Sequence, residues 1–233
     1  ILVLFFLSMR AFFRKEKLDE MKNDFINNMT HEIKTPIATI GLACEMLQDP
    51  NIGTDPETNK TYIGIIGDEN RRMRMLVETI LQSSKMSSKN FQMNIKEIDL
   101  NTLIENVAAN FKLQISNRGG LLKCNLEAAP STILGDELHI TNMIYNLIDN
   151  AIKYSPTQLD IDVSTRNNGS AILFSVSDHG LGISKEDQKH IFEKFYRVST
   201  GNVHDVKGFG IGLSYVHQVV TLHKGTITVD STP

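Results

Sequence analysis

The sequence predicts a multidomain chain: a hairpin of two long antiparallel helices, followed by an α+β domain in which helices cover one face of a mixed sheet. Up to about residue 86, apolar residues recur every three or four positions, which is the period of an amphipathic helix. Beyond the serine-rich segment 83–90, alternating, strand-like segments are interleaved with shorter helical ones. One hairpin has little core of its own, so we expect two copies to pair as a dimeric four-helix bundle.

The composition is that of an ordinary globular protein, with 41% hydrophobic and 22% charged residues in a chain of 233. The formal net charge of −3 provides no basic field for a nucleic acid, so we expect no nucleic-acid partner. The two cysteines, Cys44 and Cys124, have no zinc or redox spacing, and we interpret them as small core residues.

The N-terminal residues ILVLFFL are apolar, and four basic residues follow between positions 10 and 17. A run of seven apolar residues is too short to cross a bilayer, which takes roughly 20. Because the chain begins abruptly at Ile1, we expect residues 1–13 to be the inner end of a truncated transmembrane helix, with the basic residues on its cytoplasmic side. The alternative is the start of a buried helix.

The first helix is predicted over residues 16–48, where the apolar positions form a single stripe. The segment QDPNIGTDPE (48–57) ends that pattern with two prolines and a glycine. A second helix is predicted over residues 56–86, and Glu69 is the polar position in its apolar stripe.

The remaining elements follow in chain order. FQMNIKEI (91–98) alternates like a strand, and Asp99 is the predicted N-cap of a helix that ends at glycines 119 and 120. After a strand at LLKCNLE, Asp136 caps a helix that runs to about Lys153. Asn168-Gly169 predicts a tight turn between the strands LDIDVSTR and AILFSVS. A helix over 211–223 and a strand at GTITVDS (225–231) complete the prediction.

The first helix carries the segment NNMTHEIKTPIATI (27–40), which places Glu32 beside His31. It is not the zinc motif H-E-x-x-H, because position 35 is threonine. A carboxylate bonded to one imidazole nitrogen fixes the tautomer and makes the other nitrogen a better nucleophile. Thr35 lies one turn further on, where its hydroxyl could hold a water, and Pro36 removes a helical hydrogen bond and bends the helix.

The helix that follows Asp136 contains NLIDNAIKYS (146–155), with Asn146, Asn150, Lys153 and Tyr154 on one face. Amide oxygens suit a hard cation such as Mg²⁺, and a lysine suits a phosphate. A solvated polar helix face would have the same pattern.

Three further segments point to a nucleotide. SDHGLGI (177–183) sets Asp178 and two glycines after a strand, where the carboxylate can accept a hydrogen bond from an amine such as that of adenine; a plain turn has the same residues. GFGIGL (208–213) opens the last helix with glycines that let backbone N–H groups approach an anion, but it is no Walker A motif. FEKFYR (192–197) predicts a short helix anchored by aromatics, and the polar residues 198–207 that follow resemble a lid.

Together these segments resemble a sensor histidine kinase of a two-component system. THEIKTP resembles the H box, NLIDNAIKYS the N box, DHGLGI the G1 box, FEKFYR the F box and GFGIGL the G2 box, in the family's order. The resemblance implies a dimerisation and histidine phosphotransfer domain over residues 14–88. It also implies a catalytic ATP-binding domain over residues 89–233, an α/β sandwich of the Bergerat type shared with Hsp90 and gyrase, which stops short of the family's last strand.

The resemblance also assigns roles. His31 is the implied phosphoacceptor, Glu32 the general base, and Thr35 the residue that positions a water for dephosphorylation of a response regulator. Asn146 and Asn150 are the implied Mg²⁺ ligands. The residues implied to contact ATP are Asn146, Asn150, Lys153, Tyr154, Asp178, Gly180, Gly182, Ile183, Arg197, Gly208, Phe209, Gly210, Ile211, Gly212 and Leu213. The implied partners are a second copy of the chain and the receiver domain of a response regulator, and the implied location is a bacterial inner membrane, with the kinase facing the cytoplasm.

Two alternatives remain. An ATPase of the related fold, working as a conformational clamp, needs a general base in the N-box helix, usually a glutamate before the Mg²⁺ asparagine. ITNMIYNLIDN (140–150) offers isoleucine and tyrosine there, and His31 would have no role. A dimerisation module that binds nucleotide without activity is the other alternative, and the H box argues against it.

Overall fold

In the computed structural model, the described residues are 2–49, 55–86, 91–156, 159–198 and 210–233. They form two compact units: one is a helical hairpin that ends at Met86, together with residues 210–211, and the other is an α+β unit that begins at Phe91 and contains the remaining described residues.

The hairpin consists of α1 (Leu2–Gln48) and α2 (Pro56–Met86), which pack along each other. α2 has the predicted bounds: Asp55 caps it by accepting a hydrogen bond from the backbone N–H of Thr58 at 3.0 Å, and a proline occupies its first position. α1 is longer than predicted, because the described helix begins at Leu2, within the segment predicted to lie in a membrane, and continues through the segment 16–48. It also passes Pro36 without interruption.

The hairpin leaves large apolar side chains in solvent. Five that lie along both helices are between 51% and 61% exposed: Ile37, Leu42, Ile63, Val77 and Leu81. A second group lies in the first turns of α1 and is between 60% and 72% exposed: Val3, Leu4, Phe5, Phe6, Phe12 and Phe13. Across the part of the chain that the structure describes, no helix combines the length and apolar character needed to cross a membrane.

The α+β unit has five strands and three α-helices among its described residues. The strands are β1 (Ile95–Asp99), β2 (Leu121–Leu126), β3 (Thr132–Asp136), β4 (Asp160–Asn168) and β5 (Ala171–Asp178). The helices are α3 (Leu100–Asn117), α4 (Glu137–Tyr154) and α5 (Gly212–Leu222), with a short 3₁₀ helix at Asp187–Lys189. β1 pairs with β3 in an antiparallel ribbon, and a mixed sheet has the order β2-β4-β5, parallel and then antiparallel.

The core lies on one face of the mixed sheet. Along β4, Ile161 and Val163 are buried, whereas the alternate residues Asp162 and Ser164 are partly exposed. α3 and α4 cover the buried face with a row of apolar side chains: Ile104, Val107, Phe111, Ile144 and Ile148. The predicted fold class, a helical hairpin followed by an α+β domain with helices on one face of a mixed sheet, is therefore confirmed.

Two short-range predictions hold at atomic detail. Asp99 caps α3 by accepting from the N–H of Thr102 at 2.9 Å, and Asp136 caps α4 by accepting from the N–H of His139 at 3.3 Å. Gly169, between β4 and β5, has φ +61°, which suits the tight hairpin predicted there.

The first strand is shorter than predicted, and β3 was not predicted. β1 begins at Ile95 because its pairing ends where β3 ends, opposite Asp136. The preceding N–H, that of Asn94, donates instead to the carboxylate of Asp136 at 2.8 Å.

The strand predicted at 225–231 is wrong, because the structure describes no strand there. A strand needs a paired neighbour, and among the described strands β5 pairs only with β4. Ser231 anchors the segment differently: its hydroxyl accepts from the N–H of Ile183 at 3.0 Å, and its carbonyl accepts from Nε2 of Gln188 at 2.8 Å.

The short helix predicted at 192–197 is also wrong. The 3₁₀ helix lies upstream, at Asp187–Lys189, whereas residues 192–195 form turns and a bend and residues 196–197 are irregular. Phe195 has φ +70°, a left-handed conformation that a helix cannot contain and that a bulky residue rarely adopts.

Candidate functional site

The predicted phosphoacceptor lies on an open side of the helical hairpin. His31 and Thr35 are both exposed on α1, one turn apart. The hydroxyl of Thr35 donates to the carbonyl oxygen of His31 at 3.2 Å, so it is oriented back along the helix toward the histidine. The side chain of Glu32 lies outside the described part of the structure, so its role as general base stays a prediction.

α4 carries both core and candidate ligands because its two sides have opposite character. Ile144 and Ile148 are fully buried, whereas Asn146 and Asn150 are partly exposed. Nδ2 of Asn146 donates to the carbonyl oxygen of Asn142 at 2.7 Å, which fixes the amide and leaves its Oδ1 available.

The start of α5 lies directly against these asparagines. A Cβ atom placed on Gly212 would be 2.9 Å from Oδ1 of Asn146 and 3.9 Å from Nδ2 of Asn150. A glycine at this position therefore lets the first turn of α5 approach both amides. The amide oxygen of Asn146 is a suitable ligand for a hard cation that keeps most of its own waters.

The loop after β5 packs on the last turn of α4. The N–H of Leu181 donates to the carbonyl oxygen of Tyr154 at 3.0 Å, and the N–H of Gly180 donates to Oδ1 of Asp178 at 2.8 Å. A Cβ on Gly180 would stand 2.5 Å from the Tyr154 carbonyl oxygen, so only glycine fits this approach. The loop thereby sets the exposed carboxylate of Asp178 beside the C-terminal end of the N-box helix.

Arg197 and Lys153 add positive charge near the same end of α4. Burial raises the pKa of the Tyr154 hydroxyl, and the positive charge of Arg197 opposes that rise, which indicates that the guanidinium acts on Tyr154. Lys153 is exposed and forms an ion pair with Asp149 at 2.5 Å, one turn back on α4.

The other predicted contacts are distributed as follows. Gly182 has φ +70° and lies against the backbone of Thr232, so a side chain there would be both strained and obstructed. Gly210 has φ +67°, Ile183 and Leu213 are half-buried, and Ile211 is buried. Gly208, Phe209 and nearly all of the predicted lid lie outside the described residues.

A buried pair that the sequence did not suggest joins α5 to α4. Nδ1 of His139 and the hydroxyl of Tyr215 are 2.9 Å apart, and both side chains are buried. Burial lowers the pKa of His139 and raises that of Tyr215 to about 12, so both groups are neutral at physiological pH. Nε2 of His223 also accepts from the N–H of Asp136 at 2.9 Å. These bonds fix how α5 approaches α4, and no spacing in the sequence signals them.

The described residues contain no group of three or more histidine, cysteine, aspartate or glutamate side chains that could hold a metal.

Comparison with known proteins finds two family matches in tandem. Residues 21–89 match the His Kinase A (phospho-acceptor) domain, and residues 135–233 match the histidine kinase-, DNA gyrase B- and HSP90-like ATPase. The first match contains His31, and the second contains α4, α5 and the loop after β5.

Bacterial sensor proteins are similar over most of the chain. Sensor protein RprX of Bacteroides fragilis is 48% identical over 99% of this chain and 45% of its own length. Sensor-like histidine kinase SenX3 of Mycobacterium tuberculosis is 30% identical over 93% of this chain and 52% of its own. The chain thus spans about half the length of these relatives.

Solved structures have the same fold. Histidine kinase ThkA in complex with response regulator protein TrrA is 25% identical, with a TM-score of 0.59 over 91% of this chain and 58% of that one. Acinetobacter baumannii histidine kinase AdeS is 21% identical, with a TM-score of 0.56 over 82% and 86%.

Three findings lead to one conclusion. The phospho-acceptor match surrounds an exposed histidine, the ATPase match contains the N, G1 and G2 segments that converge, and the solved kinases share the fold. The chain belongs to the sensor histidine kinases of two-component systems, with a dimerisation and phospho-acceptor domain followed by an ATP-binding domain.

Proposed function

We propose that this chain is the kinase core of a sensor histidine kinase, which transfers the γ-phosphoryl group of ATP to His31. The observation that carries this proposal is the convergence of Asn146, Tyr154, Asp178 and Gly212 in the unit matched to the ATPase. An exposed histidine lies in the other unit, within the match to the phospho-acceptor domain.

The nucleotide is held at both ends in this proposal. The carboxylate of Asp178 accepts a hydrogen bond from the amino group of adenine, and its bond to the Gly180 N–H keeps it in place. Arg197 and Lys153 interact with the phosphates, and the backbone N–H groups of the first turn of α5 face negative charge, which a helix N-terminus favours. The further residues that we propose contact ATP are Gly182, Ile183, Gly208, Phe209, Gly210, Ile211 and Leu213.

Asn146 and Asn150 are the residues that would hold a Mg²⁺ ion. When bound, such an ion neutralises charge on the phosphates of ATP. The protein's contribution is orientation, because Asn146 has its amide nitrogen committed to the carbonyl of Asn142 and so presents its oxygen.

In the transfer step, Nε2 of His31 attacks the γ-phosphorus while the bond from that phosphorus to the β–γ bridging oxygen breaks and ADP leaves. The proton on Nδ1 passes to the carboxylate of Glu32, which leaves a neutral phosphorylated imidazole. The phosphoryl group then moves to an aspartate in the receiver domain of a response regulator. Thr35, whose hydroxyl lies beside the histidine turn, positions the water that later hydrolyses the regulator's phosphoaspartate.

The exposed apolar side chains of the hairpin suggest its partner. Ile37, Leu42, Ile63, Val77 and Leu81 are more than half exposed, which fits a surface that a second copy covers in a four-helix bundle. A response regulator is the second partner, and it is the kind of partner with which ThkA, of the same fold, was solved. The proposed domains are residues 14–88 and 89–233.

We place the whole protein at a bacterial inner membrane, with the kinase facing the cytoplasm. The support is the group of exposed apolar side chains between Val3 and Phe13 and the basic residues that accompany it.

The test is incubation with γ-labelled ATP and Mg²⁺, beside a His31→Gln variant and a variant of another exposed histidine, His217→Gln. The expected result is an acid-labile, base-stable label in the wild type and in His217→Gln, but none in His31→Gln. Phosphate release that persists in His31→Gln would favour the clamp ATPase instead. Bound ATP without label in any variant would favour a nucleotide-binding module.

A further inference from the structure

The segment between the G1 loop and the predicted lid is organised around one carboxylate. Oδ2 of Asp187 accepts from the hydroxyl of Ser184 at 2.6 Å, and the N–H of Asp187 donates back to that hydroxyl oxygen at 3.1 Å. Oδ1 of Asp187 accepts from the hydroxyl of Tyr196 at 2.7 Å. One side chain therefore joins the residue that follows the G1 loop to the F box.

The bonded atoms have the protonation states this bridge needs. The bonds from Ser184 and then Tyr196 hold the pKa of Asp187 below its ordinary value, so the acceptor is a carboxylate at neutral pH. Burial and the bond to Asp187 raise the pKa of Tyr196 to about 12, so the phenol keeps the proton it donates.

The surroundings leave Tyr196 little freedom. The ring of His190 lies against its ring, with the centroids 5.5 Å apart, and Nδ1 of His190 is 2.9 Å from Oε1 of Glu193. Phe195, immediately before it, has φ +70°. A bulky residue persists in this conformation only where its surroundings impose it, and the bond from Tyr196 to Asp187 is one such constraint.

The next residue after Tyr196 is Arg197, whose charge acts on the hydroxyl of Tyr154 at the end of the N-box helix. Ser184 follows Ile183, whose carbonyl oxygen accepts from Nε2 of Gln188 at 2.7 Å. The carboxylate of Asp187 thus lies at the junction of the loop proposed to hold adenine and the arginine proposed to approach the phosphates.

We infer that Asp187 is a positioning residue for phosphoryl transfer: fixed by Ser184, its carboxylate holds Tyr196 and thereby sets the location of Arg197 relative to the nucleotide. This inference rests on the proposed function, because Arg197 needs a nucleotide to act on. Asp187 itself touches no reacting atom.

The test compares autophosphorylation rates of the whole chain over a range of ATP concentrations. Asp187→Ala is expected to lower the rate at saturating ATP by about tenfold, because it removes the charge-assisted hydrogen bonds from both Ser184 and Tyr196. Tyr196→Phe, which removes one oxygen atom and keeps the ring, is expected to lower it by about fivefold. Glu186→Ala is the matched control: its exposed carboxylate is one residue away and pairs with Lys189, so its rate stays at the wild-type value.

A double-mutant cycle separates positioning from a general structural role. In an Arg197→Ala background, Asp187→Ala should lower the rate no further, because the residue through which it acts is already gone. Multiplicative losses would overturn the inference, as would an unchanged rate in both Asp187→Ala and Tyr196→Phe beside a labelled wild type. A wild type that binds ATP but gains no label would refute the proposed function and the inference with it. Should Asp187→Ala unfold, Tyr196→Phe alone decides the inference.

Discussion

Gly180→Ala tests whether close contact between the G1 loop and the N-box helix builds the nucleotide site. The new Cβ would be 2.5 Å from the carbonyl oxygen of Tyr154, whereas ordinary contacts begin near 3.4 Å, so loop and helix must separate by about 0.9 Å. Such a movement lengthens the bond from the Leu181 N–H to that oxygen from 3.0 Å to about 3.9 Å, which breaks it.

Two effects follow from this separation. Overpacking and the lost backbone bond together destabilise the α+β unit by about 2 to 4 kcal/mol. At roughly 3 °C per kcal/mol, its Tm should fall by about 6 to 12 °C. Asp178 moves with the loop, and losing its bond to adenine should raise the Kd for ATP by about ten- to a hundredfold.

The assay is titration with a fluorescent ATP analogue, beside thermal unfolding of the same preparation. Gly67→Ala is the matched control, because the same methyl group on exposed α2 meets no atom within 4 Å and should leave the Kd unchanged. A folded Gly180→Ala protein with wild-type Kd and Tm would show that the loop does not depend on this contact, and the reasoning would fail.

Three further substitutions test other parts of the α+β unit. Arg118 donates to the carbonyl oxygens of Ile152 and Ser155 at the end of α4 (3.2 and 3.1 Å), so Arg118→Ala should lower the stability of the unit to urea by about 1 to 2 kcal/mol. The control is Arg166→Ala, which changes an exposed arginine and should leave the stability of the unit to urea unchanged. Tyr215→Phe leaves buried Nδ1 of His139 without its hydroxyl partner and should lower the Tm by about 3 to 6 °C, an expectation that an unchanged calorimetric scan would contradict. The N–H of Thr102 holds the pKa of Asp99 below its ordinary value, so the stability contributed by this cap is present above about pH 4 and is lost as the pH falls further. The free energy of unfolding should therefore fall less steeply with decreasing pH in Asp99→Asn than in the wild type. Identical dependence on pH in the two proteins would count against the cap.

Elements set by local chemistry could be predicted from the sequence. The bounds of α2 follow from Asp55 and Pro56, and the caps of α3 and α4 follow from single aspartates. The turn at Gly169 follows from a dipeptide that favours positive φ. In each case the deciding interaction joins residues only a few positions apart, so the local sequence is enough to predict the element.

Elements that depend on distant partners were missed or wrong. The strand TILGD is short and pairs with β1 more than thirty residues away in the chain, and no local signal marks it. The segment 225–231 alternates like a strand, but hydrogen bonds to Ser231 anchor it and no neighbouring strand pairs with it in the described sheet. Alternation of apolar and polar residues indicates which side chains can share a face of a strand. Whether the strand forms depends on a neighbouring strand with which its backbone can pair.

The same distinction applies to the site. The sequence identified the segments around Asn146, Asp178 and Gly212, but only the fold shows that they meet. The bonds between His139 and Tyr215 and between Asp187 and Tyr196 join residues with no motif spacing between them. Side chains that support a site act through such contacts. The number of residues between the two partners differs from one contact to the next, so the sequence contains no fixed spacing that would predict them.

α4 serves the core with one side and the nucleotide with the other, and this has a genetic consequence. Removing one methyl group from fully buried Ile148 lowers the free energy of unfolding by about 0.5 to 1.5 kcal/mol. It also leaves a space in the core into which α4 can move, and Asn146 and Asn150 move with the helix. Selection for temperature-sensitive signalling should therefore recover alleles at Ile144 and Ile148, positions that contact no substrate. Bound ATP would protect such mutants from heat, since a ligand specific for the folded state stabilises it by an amount that rises with the logarithm of the ligand concentration above its Kd.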